Sequence, residues 1–385
     1  MSRSPLLPIF LIVSVDVLGL TLILPLLPFY AEKLGATPTA VGLLVSTYAF
    51  CQLIAGPLLG RISDRTGRKP LLLVSQAGTF IGFLILAYAN ALWLVFLSRV
   101  IDGLTAGNLS LAQAYISDVT KPEERAKSFG IIGIAFGMGF LIGPAISGFL
   151  SQFSYQYPIF AAAALSATSI LATYFLLPST TPSAADGATP RRLTLLDWGT
   201  YARYFREPEL APLLWQFFAF AFAFASFIAG FALFAERRFT WHGRPFGPKE
   251  VGYVYAYVGL LGIILQGGLI GRLVKTFGER RLVQAGFVAA AIGFAAMGFT
   301  YTIPLLLVVS AVASLGTGAL RPALTSLITQ KAGRSEQGAV LGLTQSLMSV
   351  SQIVAPFLAG LLIDRGLLTA WALVGAVVSA IGLLL

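Results

Sequence analysis

The sequence predicts an all-α membrane protein with twelve transmembrane helices in two pseudo-symmetric six-helix bundles. Three observations predict it. Of 385 residues, 57% are hydrophobic and only 11% charged, and the mean hydropathy is +0.83. A soluble chain carries roughly 25% charged residues, so a water-soluble globule is excluded. The apolar residues form long continuous runs, which excludes an outer-membrane barrel of alternating strands about ten residues long. The second half of the chain repeats the first.

A membrane helix needs about 20 apolar residues. Polar breaks divide the chain into twelve runs of that order, at 6–30, 38–60, 70–90, 92–117, 128–150, 157–177, 211–236, 249–271, 280–299, 303–329, 338–362 and 368–385. The first is too long for the apolar part of a secretion signal and lacks a small-residue cleavage site, so it is read as a span. The longest polar stretch, 178–210, separates an N-terminal bundle (1–177) from a C-terminal one (211–385). Its Pro178–Gly187 part reads as a flexible linker. The segment from Leu193 to Gly199 reads as a short helix on the membrane surface.

Net charge is +10. In a soluble protein this would suggest nucleic acid; here it follows from basic residues collecting in cytoplasmic loops, and no nucleic-acid partner is expected. With the N-terminus inside, the cytoplasmic segments hold 18 Lys and Arg and the outer loops six. This bias places both termini in the cytoplasm. The one cysteine, Cys51, permits no internal disulfide, and the one histidine, His242, has no second imidazole for a metal. No metal site and no cofactor are expected.

The repeat is exact enough to align. Pro38, Val41 and Gly42 recur as Pro248, Val251 and Gly252. Gly60, Arg61, Gly67 and Lys69 meet Gly271, Arg272, Gly278 and Arg280. Glu124, Gly130, Pro144 and Gly148 meet Glu336, Gly342, Pro356 and Gly360. Two six-span halves in parallel repeat imply a substrate cavity near the bilayer midplane and transport by alternating access.

The loop from Gly60 through Asp64, Gly67 and Arg68 to Pro70 joins spans 2 and 3. Its glycines allow a tight turn, and Pro70 suits the first turn of the next helix. Asp64 is suited to a helix N-terminus, and Arg68 is placed to pair with Asp118 at the inner end of span 4. In the second copy Lys275 replaces Asp64, so such a latch is one-sided. In span 5, Pro144 removes a helix hydrogen bond. Its small neighbours, including Gly143 and Gly148, form a face that bends and lets another helix approach.

Charges inside spans cost about 2.5–3.5 kcal/mol each, so they are functional candidates. Asp16 stands in the middle of span 1, with no charged neighbour in its own helix. Arg99 and Asp102 are three apart on one face of span 4. Asp16, Asp102 and Arg99 are the candidate proton-coupling residues. Glu236 lies beside Arg237 and Arg238 at the outer end of span 7, where an interface pair is expected. Arg321 precedes Pro322 in span 10. Polar side chains available to a substrate are Tyr48, Gln52, Asn108, Gln113, Gln216, Gln266, Gln345 and Gln352. Span 7 is rich in aromatics (Phe217, Phe218, Phe220, Phe222, Phe224, Phe227). Some of these are expected to face lipid; any that face inward favour amphipathic or aromatic compounds.

The Gly60–Pro70 loop resembles the loop signature of the major facilitator superfamily, and Gly139–Gly148 resembles the fifth-helix signature of its antiporters, with Ser147 where glycine is usual. The chain is further similar to the bacterial tetracycline efflux subgroup. That likeness rests on Asp16–Gly19 with Pro25 and Pro28, Tyr48 and Gln52, the Gly60–Pro70 loop, Tyr115–Asp118, Arg125, and Phe234–Phe239. The resemblance implies functional positions at Asp16, Tyr48, Gln52, Asp64, Arg68, Arg99, Asp118 and Arg125. Where those pumps carry an acid in span 3, a histidine in span 8 and an acid in span 9, this chain has Gly82, Gly262 and Ala290, which argues against tetracycline as the substrate. It implies a monomeric plasma-membrane transporter that exchanges a small organic molecule for protons across the lipid bilayer, or a proton symporter or uniporter for a polar metabolite. A non-transporting membrane protein that binds lipid or a partner is a third reading. No nucleophile–histidine pair and no phosphate-binding Gly-Lys-Ser/Thr loop is present, so no enzyme chemistry and no catalytic residue is expected.

Overall fold

A computed structural model describes residues 6–120, 125–178, 203–332 and 336–385. The long apolar runs fold as helices: α1 Leu6–Ile23, α2 Leu27–Lys33, α3 Pro38–Thr66, α4 Arg68–Ala87, α5 Leu92–Thr105, α6 Asn108–Val119, α7 Arg125–Leu150 and α8 Gln156–Leu176. They continue as α9 Ala211–Arg238, α10 Pro248–Ile264, α11 Ile270–Phe277, α12 Glu279–Gly298, α13 Ile303–Lys331, α14 Gln337–Asp364 and α15 Leu368–Leu384. Two-residue strands, β1 Thr240–Trp241 and β2 Arg244–Pro245, form a hairpin whose turn is His242-Gly243, both at positive φ. The surface helix expected at 193–199 lies outside the described residues.

Among the described residues, ten spans are long and apolar enough to cross a membrane. An eleventh is the pair α1 and α2, bent by 44°, and α15, with 17 residues, takes the place of the twelfth.

Three of the spans read as single helices are interrupted. The first bends at residues 24–26, where Pro25 has no N–H to give. The fourth breaks at Ala106–Gly107, and Ser75 of α4 seals the break. Its hydroxyl donates to the Thr105 carbonyl and accepts the Gly107 N–H at 2.9 Å. A Cβ on Gly78 would collide with Thr105, so only glycine lets α4 approach there. The eighth holds a π turn, Leu265–Leu269, between α10 and α11.

The chain forms two compact units. The first comprises 1–36, 47–189 and 248–259; α1 packs on α7 and α8, and α4 on α5 and α8. Here α7 presents small residues to two neighbours. Cβ atoms at Gly139 and Gly143 would run into Val17 and Thr21 of α1, while the Thr21 hydroxyl donates to the Gly139 carbonyl at 2.9 Å. Pro144 leaves the Phe140 carbonyl without its helical donor, and Gly259 of α10 packs against that oxygen. Gly252 packs against the Pro144 carbonyl, and Gly148 against the main chain of Lys249.

The second unit comprises 37–46, 190–247 and 260–385, with α9 packed on α13, α14 and α15, and α12 on α13 and α15. Phe217, Phe220, Phe222 and Phe227 are buried, and Phe218 and Phe224 half-buried. Four of these rings are thus enclosed by neighbouring helices, while Phe218 and Phe224 keep a partly exposed edge. Gly230 admits the Trp371 indole, whose N–H donates to the Ser226 carbonyl at 3.3 Å.

Candidate functional site

The first unit gathers polar side chains from five helices in an otherwise apolar interior. Asp16 of α1 is partly accessible. Gln76 of α4 and Ser169 of α8 lie beside its carboxylate, and Asp102 of α5 is close enough for its charge to reach it. Gln76 also donates to the Ser169 hydroxyl at 2.8 Å, which fixes both partners. Periodicity did not single out Gln76 or Ser169. Their only signal in the sequence is polarity within apolar helices.

Arg99 and Asp102 form an ion pair at 3.3 Å, each side chain only 6% exposed. Thr79 of α4 lies beside Asp102, Ser98 accepts from the Arg99 Nε at 3.3 Å, and one guanidinium nitrogen of Arg99 has no partner. Tyr48 of α3 lies within electrostatic reach of both members of the pair, and Gln52, one turn on, donates weakly to its hydroxyl at 3.4 Å. Asp16, Tyr48, Gln52, Arg99 and Asp102 therefore belong to one neighbourhood. Gly82 borders it: an added Cβ would lie 3.1 Å from that of Asp102. The glycine found where an acid was sought is thus the residue that lets α4 and α5 close.

Other expected residues stand apart. Asn108 begins α6 with its side-chain oxygen buried and unpartnered, and Gln113 is exposed. In the second unit, Gln216 donates to the Gly382 carbonyl at 3.0 Å and so joins α9 to α15. Gln266 and Gln345 are exposed and Gln352 is half-buried.

The loop after α3 has the geometry its sequence suggests. Gly67 turns the chain at φ 95°, a conformation that favours glycine. Arg68 reaches Asp64 at 2.7 Å, Asp118 at 2.8 Å and the Ser63 hydroxyl at 2.6 Å. The Ser63 hydroxyl in turn donates to the Gly60 carbonyl at 2.7 Å. The side chain of Arg125 lies outside the described residues. In the repeated copy Gly278 makes the same turn at φ 79°, and Glu279 accepts from Ser326 at 2.6 Å and Gln330 at 2.8 Å. Glu236 pairs with Arg237 at 3.0 Å. Among the described residues, no group of three or more His, Cys, Asp or Glu side chains could hold a metal ion.

Comparison with known proteins bears on what such a chain does. The family model described as Major Facilitator Superfamily matches residues 9–270 and 267–385. The class B tetracycline resistance protein of Escherichia coli is 30% identical over 369 residues, covering 92% of this chain and 88% of that protein. Multidrug resistance protein 2 of Bacillus subtilis (strain 168) is 28% identical over 363 residues, covering 91% and 87%. A crystal structure of the nucleoside transporter NupG superposes with a TM-score of 0.81 at 16% identity, over 99% of this chain and 98% of that one.

Proposed function

The chain belongs to the major facilitator superfamily, and from that premise we propose that it exports a small amphipathic organic compound in exchange for protons, by alternating access. It is a multi-pass membrane transporter rather than an enzyme. In this proposal it works as a monomer in the plasma membrane, with both termini cytoplasmic.

The observation that carries the reading is the polar cluster around Asp16. A carboxylate that is partly accessible, flanked by Gln76 and Ser169, and near a second acid has the parts needed to exchange a proton. Arg99 holds Asp102 as its counter-ion, so a proton or a cationic substrate group competes for a charge already balanced. Tyr48, Gln52 and Asn108 supply polar contacts to substrate in the first unit, and Gln266, Gln345 and Gln352 do so in the second. Gln113 and Gln216 complete the proposed set, although Gln216 already spends a donor on packing. Arg68 with Asp64 and Asp118 forms the proposed latch, together with Gly60, Gly67 and Arg125; Gly143, Pro144 and Gly148 let α7 bend.

One proton moving inward supplies about 2.3 kcal/mol per 100 mV, and about 1.4 kcal/mol is a tenfold ratio. A single exchanged proton therefore sustains a gradient of roughly fifty-fold per 100 mV.

Proteoliposomes test the proposal. Substrate entry should release protons on the side from which substrate enters, and Asp16→Asn should keep substrate counterflow while losing accumulation driven by a pH gradient. Co-uptake of proton and substrate would replace antiport with symport. Unchanged pH-driven accumulation in Asp16→Asn would remove Asp16 as the carrier. The absence of counterflow for every compound of a broad panel would favour a membrane protein that does not transport.

A further inference from the structure

The second unit holds a cation that the coupling machinery does not use. Arg321 lies inside the 29-residue apolar helix α13, where a charge costs about 2.5–3.5 kcal/mol. Its side chain is exposed. Among the described residues its guanidinium makes no ion pair and no hydrogen bond. Five acids of this unit are engaged elsewhere: Glu209 with Lys331, Glu236 with Arg237, Glu279 with Ser326 and Gln330, Glu336 with Arg203, and Asp364 with Thr39.

A second, independent feature meets it. Gly318 shares a face of α13 with Arg321, three residues away, and packs against Leu265, the first residue of the π turn. A π turn widens its helix and recurs at functional sites. Here it leaves Gln266, Gly267 and Gly268 exposed, and the Gln266 amide makes no hydrogen bond among the described residues. Leu265 and Leu320 share an apolar cluster with Phe220, and Phe224 packs against it.

We propose that Arg321 and the π turn with Gln266 form a binding site for the anionic group of an amphipathic organic compound, a carboxylate above all. A guanidinium presents a planar fork that takes both oxygens of a carboxylate. Gln266 supplies a further amide donor, and the half-buried Phe224 ring an apolar surface. This inference rests on the reading of the chain as a transporter of amphipathic compounds and adds the charge of what it carries.

Three ligands on one ring system test it: 2-naphthoate, the neutral 2-naphthamide and the cationic 2-naphthylmethylammonium. With the full chain in phosphatidylcholine nanodiscs, 2-naphthoate should bind about tenfold or more tighter than the amide. Arg321→Gln should bring the two affinities together, Arg321→Lys should keep part of the difference, and Gln266→Leu should reduce it. The wild-type comparison needs no variant to fold. Equal or weaker binding of 2-naphthoate by the wild type, or an unchanged preference in Arg321→Gln, overturns the proposal. So does competition by phosphatidylglycerol that depends on Arg321, because the site would then hold a lipid headgroup. Wild-type counterflow separates the two readings: movement of the amide and the ammonium with no preference for the carboxylate sinks the anion site alone, whereas no movement across a broad panel sinks the transport reading.

Discussion

Gly252 of α10 lies against the main-chain carbonyl of Pro144 in α7, so close that a Cβ there would collide with the oxygen. The same relationship recurs in the second unit, where Gly42 lies against the carbonyl of Pro356. Gly148 meets Lys249, and Gly360 meets Pro38 and Thr39. Four of the aligned pairs, Pro38 with Pro248, Gly42 with Gly252, Pro144 with Pro356 and Gly148 with Gly360, are thus residues at which backbones touch. Small residues let helices approach within van der Waals contact, which drives helix association in lipid.

Gly252→Val should destabilise the protein by about 1–3 kcal/mol, because an overpacked contact against backbone has no flexible neighbour to yield. Gly262→Ala, ten residues on in the same helix with nothing near its Cα, should be neutral or stabilising by up to about 1 kcal/mol. Thermal melts of the purified variants would check both, and equal losses would show that the packing at Gly252 is not limiting.

Removing one member of the Arg99–Asp102 pair should cost about 3–5 kcal/mol, since the other charge remains buried without a counter-ion. The double variant Arg99→Met with Asp102→Leu should be less destabilised than the sum of the two single changes. Additive losses in a double-mutant cycle would show that the pair does not interact.

Gly82→Asp would restore to α4 the acid that the tetracycline efflux subgroup is expected to carry. Its Cβ would lie 3.1 Å from that of Asp102 and 3.2 Å from the Ser98 carbonyl. The expected result is a lowered melting temperature and no gain of tetracycline counterflow. Gain of tetracycline transport with unchanged stability would show that the α4–α5 contact readily yields.

The pairs made by Arg68 are partly exposed, with side chains 16%, 27% and 34% accessible for Arg68, Asp64 and Asp118. Solvent screening limits each such pair to about 0–1 kcal/mol. Asp64→Asn and Asp118→Asn should therefore leave the melting temperature nearly unchanged while slowing substrate counterflow. A large loss of stability would recast the loop as structural rather than as a latch.

Orientation is open to labelling. In a Cys51→Ser background, Lys69→Cys should react with a membrane-impermeant maleimide only from the cytoplasmic side, and Arg244→Cys only from outside. The reverse pattern would place both termini outside the cytoplasm.

Helix positions, the two-fold repeat and the tight turn at Gly67 were legible in the sequence because each depends on local chemistry: transfer of apolar runs into hydrocarbon, or the backbone freedom of glycine. The pairing of Arg99 with Asp102 was legible for the same reason, since three residues along a helix bring side chains together. What folding alone decided is which residues meet across helices. Gln76 and Ser169 come from different helices to stand beside Asp16, Ser75 seals a break that α5 and α6 could not close, and Phe217, Phe220, Phe222 and Phe227 of α9 are enclosed by their neighbours. A hydropathy pattern records how well each residue tolerates an apolar setting. It carries no information about the partner that satisfies a buried polar group, because that partner is fixed by the crossing of helices distant in the chain.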